Sequence, residues 1–361
     1  VYGEETKYPD FAPQFKAEMY EPADWADVFA RAGAKYVVLT SKHHDGFCLW
    51  PSQESWNWNA VDVGPHRDVA GVLVEAVRAS GLKMGFYSRH YEWMNPLYLS
   101  DVDRYVETHM LPQMKDLVTR YEPDLLWTDG EWDHPAERWR ATEFLAWLFN
   151  ESPVGETVAV NDRWGKETRG KHGGYYTTEY GLVHADEAAE VIPHPWEECR
   201  GIGYSFGYNR AETLADYSTP EELIRLLVDT VARGGNLLLD IGPTADGRIP
   251  VIMEERLLQM GEWLETNGEA IYGTRKWREH AEGDAIRYTA KNDVVYAIVL
   301  GWPGQTVTLK TPKSSGATTV QLLGSDEKVR FKRPGGGLRI TMPDSAPHGA
   351  YAYTFKLAGV E

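Results

Sequence analysis

"PDLLWTDGEWD", residues 123–133, runs a short apolar segment straight into a burst of carboxylates. Leu125, Leu126, Trp127 and Thr128 suit a strand buried on both faces, and Asp129, Glu131 and Asp133 follow at once. Side chains alternate along a strand, so Trp127 and Asp129 share one face while Thr128 points away. Asp129 is therefore the acid placed to meet a ligand at the strand's end. Glu131 and Asp133 lie beyond the strand and read as solvated loop carboxylates or gate residues.

The same texture repeats outward from this stretch. Apolar runs "YVVLT", "KMGF" and "VAV" alternate with amphipathic helices such as "EPADWADVFARAGA", "RDVAGVLVEAVRASG" and "TPEELIRLLVDTVARGG". "SDVDRYVETHMLPQMKDLVTRY" reads as one long helix. Strands that each feed a helix imply a parallel sheet covered on both sides, and this many units fits an α/β fold of the (β/α)8-like TIM barrel type over residues 1–275. From residue 276 the pattern turns to short alternating segments such as "DVVYAIVLGW" and "AYAYTFKL", a C-terminal antiparallel β-sandwich over 276–361.

In barrels of this kind chemistry collects at the C-terminal ends of the strands. "YVVLT" ends in Lys42, His43, His44 and Asp45, and "KMGF" ends in Tyr87, Arg89 and His90, with Glu92 and Trp93 behind. "VAV" ends in Asn161, Asp162, Arg163 and Trp164. Four polar strand ends in one pattern point to a shared site.

Composition narrows its chemistry. A net charge of −17 argues against nucleic acid and against anionic membrane surfaces, and no apolar run is long enough for a transmembrane helix. Cys48 and Cys199 are too few for a disulfide framework or a metal knuckle. Adjacent strand residues face opposite ways, and no HxH or HExxH accompanies His43 and His44, so no metal and no cofactor is expected. "GGNLLLDIGPTADG" lacks the lysine of a phosphate cradle, and Pro243 removes a donor. His172 and His194 read as rim or structural residues; Trp56 and Trp58 either pack a loop or shape a mouth. The 14 Trp and 20 Tyr in an acidic chain suit sugar binding, because pyranose C–H faces stack on rings while acids grip hydroxyls. Hydrolysing an acetal takes two carboxyl groups, about 5–5.5 Å apart for retention and about 6.5–9.5 Å for inversion. Beside Asp129, Glu179 in "YYTTEYG" and Glu197 in "HPWEEC" are the candidates for the second.

Seven ordered stretches carry a resemblance: "AGAKYVVLTSKHHDGFCLWPS", "WNWNAVDVGPHRDV", "DLLWTDGEW", "VNDRWG", "HGGYYTTEY", "WEECRGIGYSFGYN" and "GGNLLLDIGPTADGRIP". Spanning roughly residues 9 to 275, the chain resembles the α-L-fucosidases of glycoside hydrolase family 29. The resemblance implies a retaining exo-glycosidase that removes terminal fucose from fucosylated oligosaccharides or glycoconjugates. It assigns Asp129 as nucleophile, with Glu179 as acid/base and Glu197 as its rival. It also implies that His43, His44, Tyr87, Trp127, Arg163, Trp50 and Glu197 contact substrate. A secreted, periplasmic or lysosomal-type setting is expected over a cytoplasmic one, and homo-oligomerisation stays open. A competing reading is a non-catalytic sugar-binding protein on a decayed barrel; a metal-dependent hydrolase is a second. Family members usually open the barrel with a strand resembling "FGIFIHWG". No counterpart stands here, so that strand is expected from residues outside this sequence or from another segment.

Overall fold

The computed structural model describes residues 5–180, 194–343, 346 and 351–361. The chain divides into two compact units, one built from Val1–Ala30, Ala34–Thr177 and Gly242–Pro250, the other from Arg31–Gly33, Thr178–Ile241 and Val251–Glu361.

The first unit is organised on a parallel sheet of β1 (Tyr36–Lys42), β2 (Lys83–Arg89), β3 (Leu125–Asp129) and β4 (Ala159–Val160), in that order. Helices α1 (Pro22–Arg31) and α2 (Val69–Ala79) come from the predicted amphipathic segments. Asp68 caps α2 by accepting from the Gly71 amide at 2.8 Å, which satisfies one of the orphan donors of the first turn. Val69, Leu73 and Val77 of α2 pack in one apolar cluster with Met84 and Phe86 of β2. Leu126 of β3 packs in a second cluster with Val118, Trp139 and Phe144. Odd and even positions of β3 thus face opposite ways, as the alternation requires.

The predicted long helix is interrupted. Helical turns at Val102–Tyr105 and Leu111–Tyr121 flank a π-helical segment, Val106–Met110. Pro112 supplies the reason, because its ring has no amide hydrogen and crowds the carbonyl of residue 108, so the preceding turn widens.

The second unit holds a three-stranded sheet in the order β5 (Tyr176–Glu179), β6 (Trp196–Gly201), β7 (Gly235–Asp240), with β6 and β7 parallel. After the helix Val251–Asn267 come β8 (Arg275–Glu282), β9 (Ile286–Lys291), β10 (Val294–Val299), β11 (Thr306–Leu309), β12 (Ser314–Leu322), β13 (Arg330–Lys332), β14 (Leu338–Thr341) and β15 (Tyr353–Val360). They form two antiparallel sheets, β12-β15-β10-β9-β8 and β11-β14-β13. Tyr288, Val295, Ala297, Phe355 and Leu357 of the first share one core with Val307, Leu309, Leu338 and Ile340 of the second, the arrangement of a sandwich.

Candidate active site

The parallel register of β2 and β3 builds the centre of the site. Tyr87 lies opposite Trp127 and Arg89 opposite Asp129. Because residues two apart share a face, Tyr87, Arg89, Trp127 and Asp129 converge on one side of the sheet. Asp129 is 3% exposed. Its Oδ2 accepts from the Tyr87 hydroxyl at 2.8 Å and forms an ion pair with Arg89 Nη2 at 2.8 Å, and its Oδ1 accepts from Arg163 Nη1 at 2.8 Å. Arg163, next to β4, also donates from Nε to Thr177 at 2.8 Å, and its guanidinium lies 4.3 Å from the centre of the Trp127 ring. Two hydrogen bonds and a second guanidinium charge therefore meet this one carboxylate.

Burial alone would raise the Asp129 pKa, but Arg163, then Arg89 and the hydrogen bonds outweigh it and hold the carboxyl down at about 2. Glu131 behaves in the opposite way. It is only 3% exposed, which corrects the reading of a solvated loop or gate carboxylate. Gly130 explains the difference: at φ +80° it turns the chain back sharply, and a Cβ there would lie 2.8 Å from two carbons of the Tyr91 ring. Burial, followed by the Asp129 charge, pushes Glu131 up to about 7 against the pull of Arg163. Its Oε2 has no hydrogen-bond partner among the described residues. Asp133 is exposed as expected and accepts from the Tyr98 hydroxyl at 2.8 Å.

His43 and His44 follow β1 rather than ending it, so strand alternation does not separate them. Their rings meet edge to face with centroids 4.4 Å apart, a correction to opposite faces. The register of β1 on β2 shifts between Thr40 and Lys42, a bulge that re-aims the chain just before the histidines. His43 stacks on Tyr87 at 5.7 Å and lies 3.2 Å from Arg89 Nη2. A guanidinium only donates, so His43 Nε2 accepts; surrounding protein and the Arg89 charge both disfavour its protonated form. Burial, then Arg89, pushes His44 down to about 3, and its Nδ1 has no partner among the described residues. Behind them Lys42 is buried, donating to Glu92 at 3.0 Å and Gln113 at 2.8 Å. Burial would raise Glu92, yet Lys42 and then His109 bring it down to about 2.

Trp50 is fully buried in the apolar cluster around α2, with its indole nitrogen 3.0 Å from Asp116. The structure thus packs it in the core, where a large indole with a nearby carboxylate partner is as well suited as at a mouth. Trp56 is exposed, whereas Trp58 donates to the Asp45 carbonyl at 2.8 Å and lines a cavity of about 260 Å³ with Phe11, Phe15, Phe47 and His43. That cavity shares His43 with the carboxylate cluster, but Asp129 is not among its walls. In the second unit Glu179 is the last residue of β5, and Glu197 is buried near the start of β6. The adjacent Glu198 is held by Arg200 at 2.7 Å and by Thr178. Both cysteines are buried and neither is in a disulfide.

Sequence reasoning gave two residues no role beside Asp129: Arg89, named only among the strand-end polar residues, and Glu131. Arg89 carried a usable signal, its i, i+2 spacing from Tyr87. Glu131 carried none, since its burial depends on the turn at Gly130 and on rings from elsewhere.

A buried carboxylate kept charged by two guanidinium groups at the end of a parallel strand suits the nucleophile of a glycoside hydrolase, the class to which the family comparisons assign the chain. The profile of the family described as Alpha-L-fucosidase matches residues 1–269, and that of the Alpha-L-fucosidase C-terminal domain matches residues 280–358. The tissue alpha-L-fucosidase of Rattus norvegicus is 46% identical over 368 residues, spanning 98% of this chain and 79% of its own length. A solved alpha-L-fucosidase superposes with a TM-score of 0.86 at 37% identity, covering 99% of this chain and 82% of its own. The Thermotoga maritima alpha-fucosidase in complex with fucose gives 0.81 at 37% identity, covering 99% and 83%. The chain belongs to the α-L-fucosidase family, and its fold is TIM-barrel-like with a C-terminal antiparallel domain.

Proposed function

We propose that this chain is a retaining exo-α-L-fucosidase acting on fucosylated glycans, with Asp129 as its nucleophile. The observation that carries the assignment is the clamp on Asp129: two guanidinium groups and a phenol keep it ionised inside an aromatic mouth. One Asp129 oxygen bonds to C1 as the glycosidic C1–O bond breaks, and the leaving oxygen takes a proton from the acid/base. Water then attacks C1, gives its proton to that same group, and frees Asp129.

Glu179 is proposed as the acid/base and Glu197 remains its rival. The last residue of a strand suits chemistry at the strand ends better than a buried position near a strand's start. His43 and His44 are proposed to hold sugar hydroxyls as neutral imidazoles, His44 through its unpartnered Nδ1. Tyr87, Trp127 and Arg163 complete the fucose contacts. The non-catalytic reading is not favoured, since a carboxylate that only gripped a hydroxyl would not need two arginines to keep it charged. Relatives named tissue and plasma alpha-L-fucosidase support a setting outside the cytoplasm, and no described helix is long and apolar enough to cross a membrane.

The test is Asp129→Gly on an aryl α-L-fucoside. Hydrolysis is expected to fall by at least about a thousandfold, and azide should restore turnover as β-fucosyl azide. Near-normal hydrolysis would remove Asp129 from the mechanism. With Glu179→Ala and Glu197→Ala, the acid/base is the position whose loss azide rescues as the α-azide.

A further inference from the structure

Trp93 and Trp132 are out of place as packing residues. They remain 52% and 45% exposed, although both are fixed by ring contacts. Trp93 stacks on His44 at 4.7 Å, and its amide donates to the His44 carbonyl at 2.8 Å. Trp132 meets His44 edge-on at 5.9 Å and Tyr91 at 5.8 Å. The Arg89 guanidinium, which binds Asp129, also lies 5.3 Å from the Trp132 ring centre. Trp132 belongs to the single 3-10 turn Glu131–Asp133 that follows Asp129 directly, and Tyr98 pins that turn through Asp133. Two indoles are therefore held still around His44 while half of each faces solvent. Apolar surface kept exposed and rigid beside a catalytic centre marks a binding surface.

We propose that Trp93 and Trp132 form the landing surface for the leaving-group sugar, a neutral pyranose whose C–H face stacks on these indoles while fucose occupies the site at Asp129. This rests on the fucosidase reading. His44 lies within electrostatic reach of Arg89 and Asp129, so exposed rings packed against it border the place where the outer part of the substrate must lie. Among the described residues the cation that lies over these indoles is Arg89, on Trp132, and Arg89 is already committed to Asp129. That favours a neutral sugar over a sulfated or sialylated one. An aromatic face also tolerates several linkages, because stacking reads a flat C–H surface and not a hydroxyl pattern.

The experiment compares kcat/KM on two substrates, α-L-fucosyl fluoride, whose leaving group is one atom, and an α-fucosylated lactose. In Trp93→Ala and Trp132→Ala the loss on the oligosaccharide should exceed the loss on the fluoride by about tenfold or more. Trp→Phe at the same positions should recover most of it. Equal losses on both substrates, or none on the oligosaccharide, would overturn the proposal, the first by leaving the rings only a role in holding His44. Should an alanine variant fail to fold, the phenylalanine variants and a lactose titration of wild-type tryptophan fluorescence decide: saturable quenching that Trp93→Phe weakens supports the surface, and no quenching refutes it. Wild-type protein inert on the fluoride would bring down the fucosidase reading and this one with it. Turnover of the fluoride with no difference between substrates would bring down this one alone.

Discussion

Replacing Arg163 with methionine removes one of the two charges that keep Asp129 ionised while filling most of the space. The lost attraction can be sized from the geometry. The guanidinium nitrogen is 2.8 Å from Oδ1, which puts the charge centres roughly 4 Å apart and the interaction at about 4 kcal/mol for an effective dielectric of about 20. At about 1.4 kcal/mol for each pH unit, the Asp129 carboxyl should climb roughly three pH units from its native value of about 2, to about 5. A nucleophile must be charged, so activity is lost as pH falls through that value. Arg163→Met should therefore lose about tenfold in kcat/KM between pH 6 and pH 4 on an aryl fucoside, over a range where Asp129 imposes no loss on the wild type. Arg163→Lys keeps a charge and should move the acid limb much less. Stability should fall by about 3 kcal/mol, the low end for breaking a buried pair, because Arg89 still compensates Asp129. A folded Arg163→Met protein whose kcat/KM stays flat down to pH 4 would refute the electrostatic account of the nucleophile.

Three further outcomes are expected. Glu131, raised from 4.5 to about 7, is held protonated by the fold, so its contribution to stability is complete below pH 4.5 and is lost as pH rises to about 7. Glu131→Gln should thus gain about 3 kcal/mol relative to wild type between pH 4 and pH 8 in urea titrations; an unchanged difference at both pH values would contradict the raised carboxyl. Lys42→Met strands the Glu92 carboxylate and should cost about 3–5 kcal/mol, whereas adding Glu92→Gln should cost less than the sum of the single changes, and strict additivity in the cycle would show the pair uncoupled. Trp50→Phe should cost about 1–3 kcal/mol through the lost bond to Asp116 and leave KM for fucosides unchanged; a raised KM would return Trp50 to the substrate contacts.

What could be read without coordinates was whatever depends on periodicity and neighbours in the chain. Two-residue alternation was enough to put Asp129, at the end of its strand, on one face with Trp127. Apolar runs followed by amphipathic helices announced the parallel sheet, and the change of texture after residue 275 announced the antiparallel one. Seven ordered motifs carried the family. Local patterns of this kind survive in sequence because they are set by backbone geometry over a few residues.

The properties that decide chemistry came from register and burial, which bring together residues far apart in the chain. Arg89 became a partner of Asp129 because β2 and β3 align those two positions. Lys42 went inward and the two histidines met because the β1 ladder slips at Ser41. Trp50 was drawn into the core by α2 and Asp116. Asp129 and Glu131 are chemically alike and two positions apart, yet one carboxyl is held near 2 and the other near 7. The sequence determined which acids stand at the strand's end. Only the folded chain, by bringing two guanidinium groups to one and excluding water from the other, decided which of them carries charge.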